Sequence, residues 1–252
     1  MIDIKSPDEI AKIRAGGQRL AAIMEKLKTA AVSGITTKEI DDLAGQLARQ
    51  QQAQPSFLGY NGFPANICIS VNEEIVHGLP GEKKLHTGDI VGLDFGLLYQ
   101  GFFTDMAVTV GIGQVDSVAS KLMASTAESL QLGIKQIKPG NHIGDISAAV
   151  GRHAESGGYG IIRNLTGHGV GRKVHEPPQI PNFGNPGDGP ELKVGMVLAI
   201  EPMLSLGDHT TELATDGWTF KMKDGSLSAH FEHTVVVTEE GHEILTKYQD
   251  GK

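Results

Sequence analysis

Five residues of this chain could share one charge-dense site: Asp94, Asp105, His168, Glu201 and Glu232, each in an apolar strand-like run or a glycine-flanked turn. Four carboxylates and one imidazole brought together would carry a charge of about −4, which a dry cleft does not hold without counterions. Two divalent cations are the economical solution. Carboxylates can bridge two ions, and an acid-rich set with a single His suits Mn, Fe, Co or Zn better than copper or a thiolate-type zinc site. A water bridged by two such ions becomes a nucleophile near neutral pH, and both ions can polarise a carbonyl. Each residue also has a plainer reading. Glu201 could cap the turn at Pro202, Glu232 could face solvent on an alternating strand, and His168 between two glycines could be a satisfied turn histidine.

Asp94 and Asp105 sit in the run 88–110, GDIVGLDFGLLYQGFFTDMAVTV, which reads as two β-prone strands around a turn at Tyr99, Gln100 and Gly101. With the turn centred between Tyr99 and Gln100, the two acids are directly opposite, their Cβ atoms roughly 4.5–5.5 Å apart, and repel unless something positive or a proton lies between them. No near neighbour is basic, so a cation from elsewhere leads; one Asp pointing to solvent from an edge strand is the alternative. His175, seven residues after His168, has no intrahelical zinc spacing, and hydrogen bonding to a substrate suits it better than ligation. His77 falls between a β-prone run and the Gly78-Leu79-Pro80-Gly81 turn, where a side chain can project into a cleft. His230 is two residues before Glu232 and shares its strand face, so it lines the same cleft if Glu232 is a ligand.

The positioning elements follow from periodicity and caps. Ser6-Pro7-Asp8-Glu9 and Thr36 with Glu39 are capping boxes, predicting one helix that ends before Gly34 and a second running to about Gln52. A strand is expected over 66–71. Asp116 or Ser117 opens a long third helix ended by Pro139-Gly140, and Ile143, Ile146, Ala149 and Val150 mark a fourth, closed by Gly157-Gly158. Short strands are expected over 160–166, 196–200 and within 226–238, with a Pro/Gly/Asn-rich loop reaching Glu191. An internal echo joins the halves: Gly34 to Ile40 matches Gly140 to Ile146, and Gly88 to Asp94 matches Gly195 to Glu201, at offsets of 106 and 107. That is the pattern of a duplicated helix–helix–strand unit, with Asp94 and Glu201 at equivalent strand ends converging between the halves.

Composition bounds the remainder. The 252 residues carry a net charge of −8 with no Lys/Arg-rich run, which does not suggest a nucleic-acid surface. The lone Cys68 excludes an intramolecular disulfide and a thiolate-rich zinc site and fits a reducing compartment. The N-terminus lacks a signal-peptide pattern and no apolar run reaches membrane-spanning length, so a cytoplasmic protein is expected.

The ordered motifs VNEEIVHGLPG (71–81), DIVGLDFG (89–96), FFTDMAVTV (102–110), TGHGVGRKVHEPPQIPNFG (166–184), AIEPM (199–203) and GWTFKMKDGSLSAHFEHTVVV (217–237) resemble type I methionine aminopeptidase over nearly the whole chain. The resemblance implies an α+β pita-bread (creatinase/aminopeptidase) fold: two pseudo-twofold-related halves, roughly 1–110 and 111–252 of a single catalytic domain 1–252, with antiparallel sheets covered by helices. It implies that Asp94, Asp105, His168, Glu201 and Glu232 hold two divalent metal ions, with Co, Mn, Fe, Zn and Ni all open as the metal. It makes Glu201 the general base and His77 and His175 the substrate-contacting, catalytic histidines, and it places Tyr60, Phe63, Cys68, Met203 and Trp218, with His230, around the methionine side chain. The implied activity is removal of the initiator Met from nascent polypeptides and peptides with a small second residue, by metal-bridged hydroxide attack on the scissile carbonyl. A cytoplasmic monomer is expected, with transient ribosome association left open. Asn61, Gly96, Val174 and His230 depart from the family pattern, where a His, a Thr, an aromatic and a Gln are common. A prolidase-like peptidase on the same fold, or a non-enzymatic binding module, is the rival reading.

Overall fold

The computed structural model describes residues 2–248; Met1 and residues 249–252, the two ends of the expected domain, lie outside the described residues. Both predicted capping boxes form. Ser6 accepts the Glu9 amide and Glu9 accepts the Ser6 amide at 2.8 Å, opening α1 (Pro7–Ala30), and Thr36 with Glu39 opens α2 (Thr37–Gln50) in the same way. Leu20, Met24 and Leu27 of α1 and Ile40 and Ala44 of α2 are fully buried in one cluster. Each large apolar side chain buried there contributes ~1.5–3 kcal/mol.

Short strands β1 (Gln54–Pro55), β2 (Cys68–Val71) and β3 (Glu74–Val76) precede the long hairpin β4 (Ile90–Tyr99) and β5 (Phe102–Gly111). Its loop is Gln100-Gly101, both with positive φ (49° and 82°), the backbone of a two-residue type I′ turn. The register is therefore two residues from the expected one: Tyr99 pairs with Phe102, Gly96 faces Asp105, and Asp94 faces Ala107. Asp94 and Asp105 are diagonal neighbours, a separation of ~7–8 Å between Cα atoms, and their direct repulsion is weaker than a facing pair would suffer. A slip of two leaves both on the same face.

The second half runs α3 (Ser117–Ile134), α4 (Ile143–Ser156), β6 (Gly160–Ile161), β7 (Gly167–Gly169), β8 (Glu176–Ile180), β9 (Val197–Ile200), β10 (Met203–Ser205), β11 (Thr211–Leu213), β12 (Phe220–Met222), β13 (Ser228–His230), β14 (Glu232–Thr238) and β15 (Gly241–Ile244). Asp116 caps α3 through the Val118 amide at 2.6 Å. The strand expected over 66–71 begins only at Cys68, and the one expected over 160–166 is the two-residue β6. Within the expected loop before Glu191, β8 pairs with β7. The run 226–238 is broken at Phe231: His230 pairs with Met203 of β10, whereas Glu232 pairs with Ala107 of β5.

The main sheet is antiparallel throughout, in the order β1-β4-β5-β14-β9-β7-β8, with β2 beside β4 and β15 beside β14. Period-two alternation divides its faces. Val91, Leu93, Phe95 and Met106 pack beneath α1 and α2, while Leu198, Ile200 and Val235 pack with Leu130, Ile134 and Ile146 of α3 and α4. Both helix pairs thus cover one side of a continuous sheet. Its halves are stitched at β5–β14, where the Asp105 amide donates to Thr234 Oγ1 at 2.9 Å and the Thr234 hydroxyl donates back to the Asp105 carbonyl at 2.8 Å.

Candidate metal centre and its cavity

The strand registers assemble the site on the sheet face away from the helices. Cys68 faces Asp94, Asp94 faces Ala107, and Ala107 faces Glu232, so one row across four strands carries two carboxylates and a thiol on one face. Asp105 is two residues from Ala107 and joins that face. His168 faces Ala199, and Glu201, two residues beyond Ala199, follows β9 directly. Asp94 lies within β4 and not at a strand end, so the row across the sheet, more than equivalence of strand ends, brings it to Glu232.

Asp94, Asp105, His168, Glu201 and Glu232 all line one cavity of ≈ 140 Å³. Asp105, His168 and Glu232 are the tightest group, buried, with ligand-capable atoms all within 4.8 Å of one another. Glu201 stands beside them between two imidazoles, 3.4 Å from His168 Nε2 and 3.5 Å from His230 Nε2. His168 Nδ1 lies 2.8 Å from the Gly169 carbonyl, which can only accept; Nδ1 therefore carries the proton and Nε2 presents a free lone pair to the cavity.

Burial sets the electrostatics of these acids. Burial, then the neighbouring carboxylates, push Asp94, Glu201 and Glu232 well above the usual carboxylate range, and burial holds Asp105 at about 7. Burial, then His175, lowers His168 to about 3, and burial, then His77 and His168, lowers His230 to about 3. The imidazoles are neutral and offer no compensating charge. Asp94 Oδ1 and Glu232 Oε1 are buried without a hydrogen-bond partner. Orphaned acceptors, neutral imidazole and oxygen-rich donors are what a divalent cation satisfies, so the residues fit a metal centre.

The cavity wall combines aromatic and polar groups. Phe63 and Trp218 meet edge to face with centroids 5.2 Å apart, and Tyr60 and Cys68 complete the side expected to be apolar. His175 reaches the cavity from the mouth; its Nδ1 lies 2.9 Å from the Tyr60 hydroxyl and its ring centroid 4.3 Å from that of His168. His77, held at φ 58°, points in beside Phe220, and burial, then His175, lowers it to about 4. Two expected lining residues lie elsewhere. Met203 is fully buried against Ile162, Ile75 and Met222, and His230 stands behind Glu201, off the cavity wall, because β13 pairs with β10 before the chain breaks at Phe231. Phe57 and Val76 line the cavity without having been singled out; their signal was the aromatic-rich run after Pro55 and the β-prone run before His77. Among the departures, Asn61 lines the cavity and Val174 packs with Phe57, Phe63 and Cys68.

Comparison with known proteins places this geometry among peptidases. The profile of metallopeptidase family M24 matches residues 11–239. A methionine aminopeptidase of Clostridium perfringens is 45% identical over 246 residues, covering 98% of this chain and 99% of that protein. The crystal structure of the Thermotoga maritima methionine aminopeptidase superposes with a TM-score of 0.97 at 46% identity, covering 98% of this chain and 100% of that one. The prolidase of Pyrococcus horikoshii shares the fold at a TM-score of 0.78 and 23% identity, with this chain covering 64% of it.

Proposed function

The chain belongs to metallopeptidase family M24, and from the site it carries we propose that it is a methionyl aminopeptidase, removing an N-terminal Met that precedes a small residue. The observation that carries this reading is the single cavity that joins a carboxylate–imidazole floor to the Phe63–Trp218 wall. An unbranched thioether suits that wall, since its sulfur is polarisable and favours aromatic edges. Likeness to methionine aminopeptidases over nearly the full length of both chains supports the same substrate.

Asp94, Asp105, His168, Glu201 and Glu232 would hold two divalent cations, which supply Lewis acidity and an acidified water when bound. Glu201, flanked by neutral His168 and His230, would be the general base, holding a proton on its carboxylate and passing it to the leaving amine. His175, its Nδ1 engaged by Tyr60, turns its other nitrogen to the substrate carbonyl, and His77 steadies the scissile amide. Both are neutral near pH 7, since burial lowers each, and both can therefore donate one hydrogen bond without adding charge. Nascent polypeptides in the cytoplasm are the proposed substrates and a monomer the working form; one cysteine, and no helix among the described residues long and apolar enough to cross a membrane, accord with that setting. The two helix pairs on one continuous sheet support a single catalytic domain of two halves, roughly 1–110 and 111–252.

The test is peptide cleavage by protein supplied with Mn or Co. Met-Gly-Met should release Met, and Asp94→Ala should abolish release. Intact Met-Gly-Met with cleaved X-Pro dipeptides would replace this reading by a prolidase-like one, for which the shared fold provides the alternative.

A further inference from the structure

The floor of the site lacks a side chain at Gly96, and Ser56, the residue that follows β1, fills the space. Gly96 faces Asp105 directly across the hairpin. The Asp105 amide turns away to Thr234, and the Gly96 carbonyl turns the other way to accept the Ser56 amide at 3.0 Å, so the two residues form a non-hydrogen-bonded pair, in which side chains approach most closely. A Cβ at Gly96 would point to the Asp105 side and, by period two, to the Asp94 side as well. The space is taken: such a Cβ would overlap the Ser56 Oγ outright and come within 3.2 Å of Ser56 Cβ. Ser56 is 7% exposed, and its hydroxyl has no hydrogen-bond partner, while on the same face Asp94 Oδ1 also has none. A buried donor without an acceptor, standing where a side chain of residue 96 would begin, is costly unless the neighbouring carboxylates use it.

We propose that Ser56 is a positioning residue of the metal centre: its hydroxyl stands where a side chain at position 96 would begin, on the face that carries Asp94 and Asp105, and is the donor those carboxylates take up when a cation is held there. The inference rests on the reading of Asp94 and Asp105 as cation ligands. A hydroxyl that orients a ligating carboxylate frees the carboxylate's other oxygen for the metal and limits its rotation. The competing role is steric, in which Ser56 only fills the gap above a glycine, and the two roles separate cleanly. Ser56→Ala keeps most of the volume and removes the hydroxyl, Ser56→Thr keeps the hydroxyl, and the pair Ser56→Gly with Gly96→Ser moves the hydroxyl onto β4.

The measurement is calorimetric titration of chelator-stripped protein with Mn²⁺, alongside apo melting temperature and near-UV circular dichroism. Ser56→Ala should bind Mn²⁺ about 10–100-fold more weakly, the range for losing an outer hydrogen bond to a metal ligand, with its apo melting temperature essentially unchanged. Ser56→Thr and the double variant should recover most of that affinity. Parental affinity in Ser56→Ala would overturn the proposal, as would an equal loss in Ser56→Ala and Ser56→Thr with native dichroism in both. If the parent binds no Mn²⁺ and Asp94→Ala behaves identically, the ligand assignment fails and this inference with it; if the parent binds and only Ser56→Ala is indifferent, the ligand assignment stands alone.

Discussion

Cation binding should expel protons from this site, because burial raises its acids. In the metal-free chain burial holds Asp105 at about 7, half protonated at pH 7, and burial with the neighbouring carboxylates raises Asp94, Glu201 and Glu232 well above the usual range. The three imidazoles around them, His168 and His230 at about 3 and His77 at about 4, are neutral. Filling the site with divalent cations ionises the acids, so protons should leave on binding at pH 7, with about half a proton per chain from Asp105 as the minimum. Titrating Mn²⁺ in buffers of different ionisation enthalpy reads this number as the slope of observed heat against buffer heat. The same linkage acts on folding. An acid raised in the fold binds a proton there that the unfolded chain has already lost, so metal-free stability falls as pH rises above the unfolded value. Raising Asp105 from 3.8 to about 7 costs up to ~4 kcal/mol across that window. His77, His168, His230 and His233 act oppositely, since burial keeps them neutral while the unfolded chain charges below 6.5, so their contribution grows with pH up to 6.5, from about 3 for His168 and His230 and from about 4 for His77 and His233. Above 6.5 only the acids remain, and the metal-free melting temperature should drop between pH 6.5 and 8 while the cation-loaded value holds. Binding without proton release at pH 7, or a metal-free melting temperature that climbs over that interval, would refute the reasoning.

Two further perturbations test the frame around the site. Gly16 and Gly17 are successive positions of α1 with opposite expected responses: a Cβ at Gly16 meets Tyr99 Cβ at 3.4 Å and Thr104 Cγ2 and Oγ1 at 3.6 Å, ordinary van der Waals contacts, whereas one at Gly17 would overlap the Leu245 carbonyl oxygen and lie 2.8 Å from its carbon. Gly16→Ala should be neutral or stabilising by up to ~1 kcal/mol from helix propensity, and Gly17→Ala destabilising by ~1–3 kcal/mol, read by urea unfolding. Lys5, buried, pairs with Glu176 at 2.5 Å and with Asp3 at 2.9 Å, and Glu176 adjoins His175. Lys5→Met should cost ~3–5 kcal/mol by leaving the Glu176 carboxylate buried without its cation, held only by the Lys173 amide, and should lower kcat/KM by loosening the segment that carries His175, with Mn²⁺ affinity retained.

Much of this protein was legible in its residues because the signals are local. Capping boxes at Ser6–Glu9 and Thr36–Glu39 opened helices where expected, and alternation in β4 and β5 put Asp94 and Asp105 on one face even though the register was two residues off, since period two is indifferent to such a slip. Acids in apolar strands flagged a need for compensation before any partner was visible, and the ordered motifs identified the fold. Tertiary structure alone decided what depends on pairing between distant strands. The turn at Gln100-Gly101 set the register; the break at Phe231 sent His230 behind Glu201 and Glu232 into the row with Asp94; and Met203 went to the core. Ser56 filling the space over Gly96 joins residues forty apart, and no periodicity within either segment encodes it. Local preference is written in neighbours along the chain, whereas a site across five strands is fixed by registers that only the assembled sheet selects.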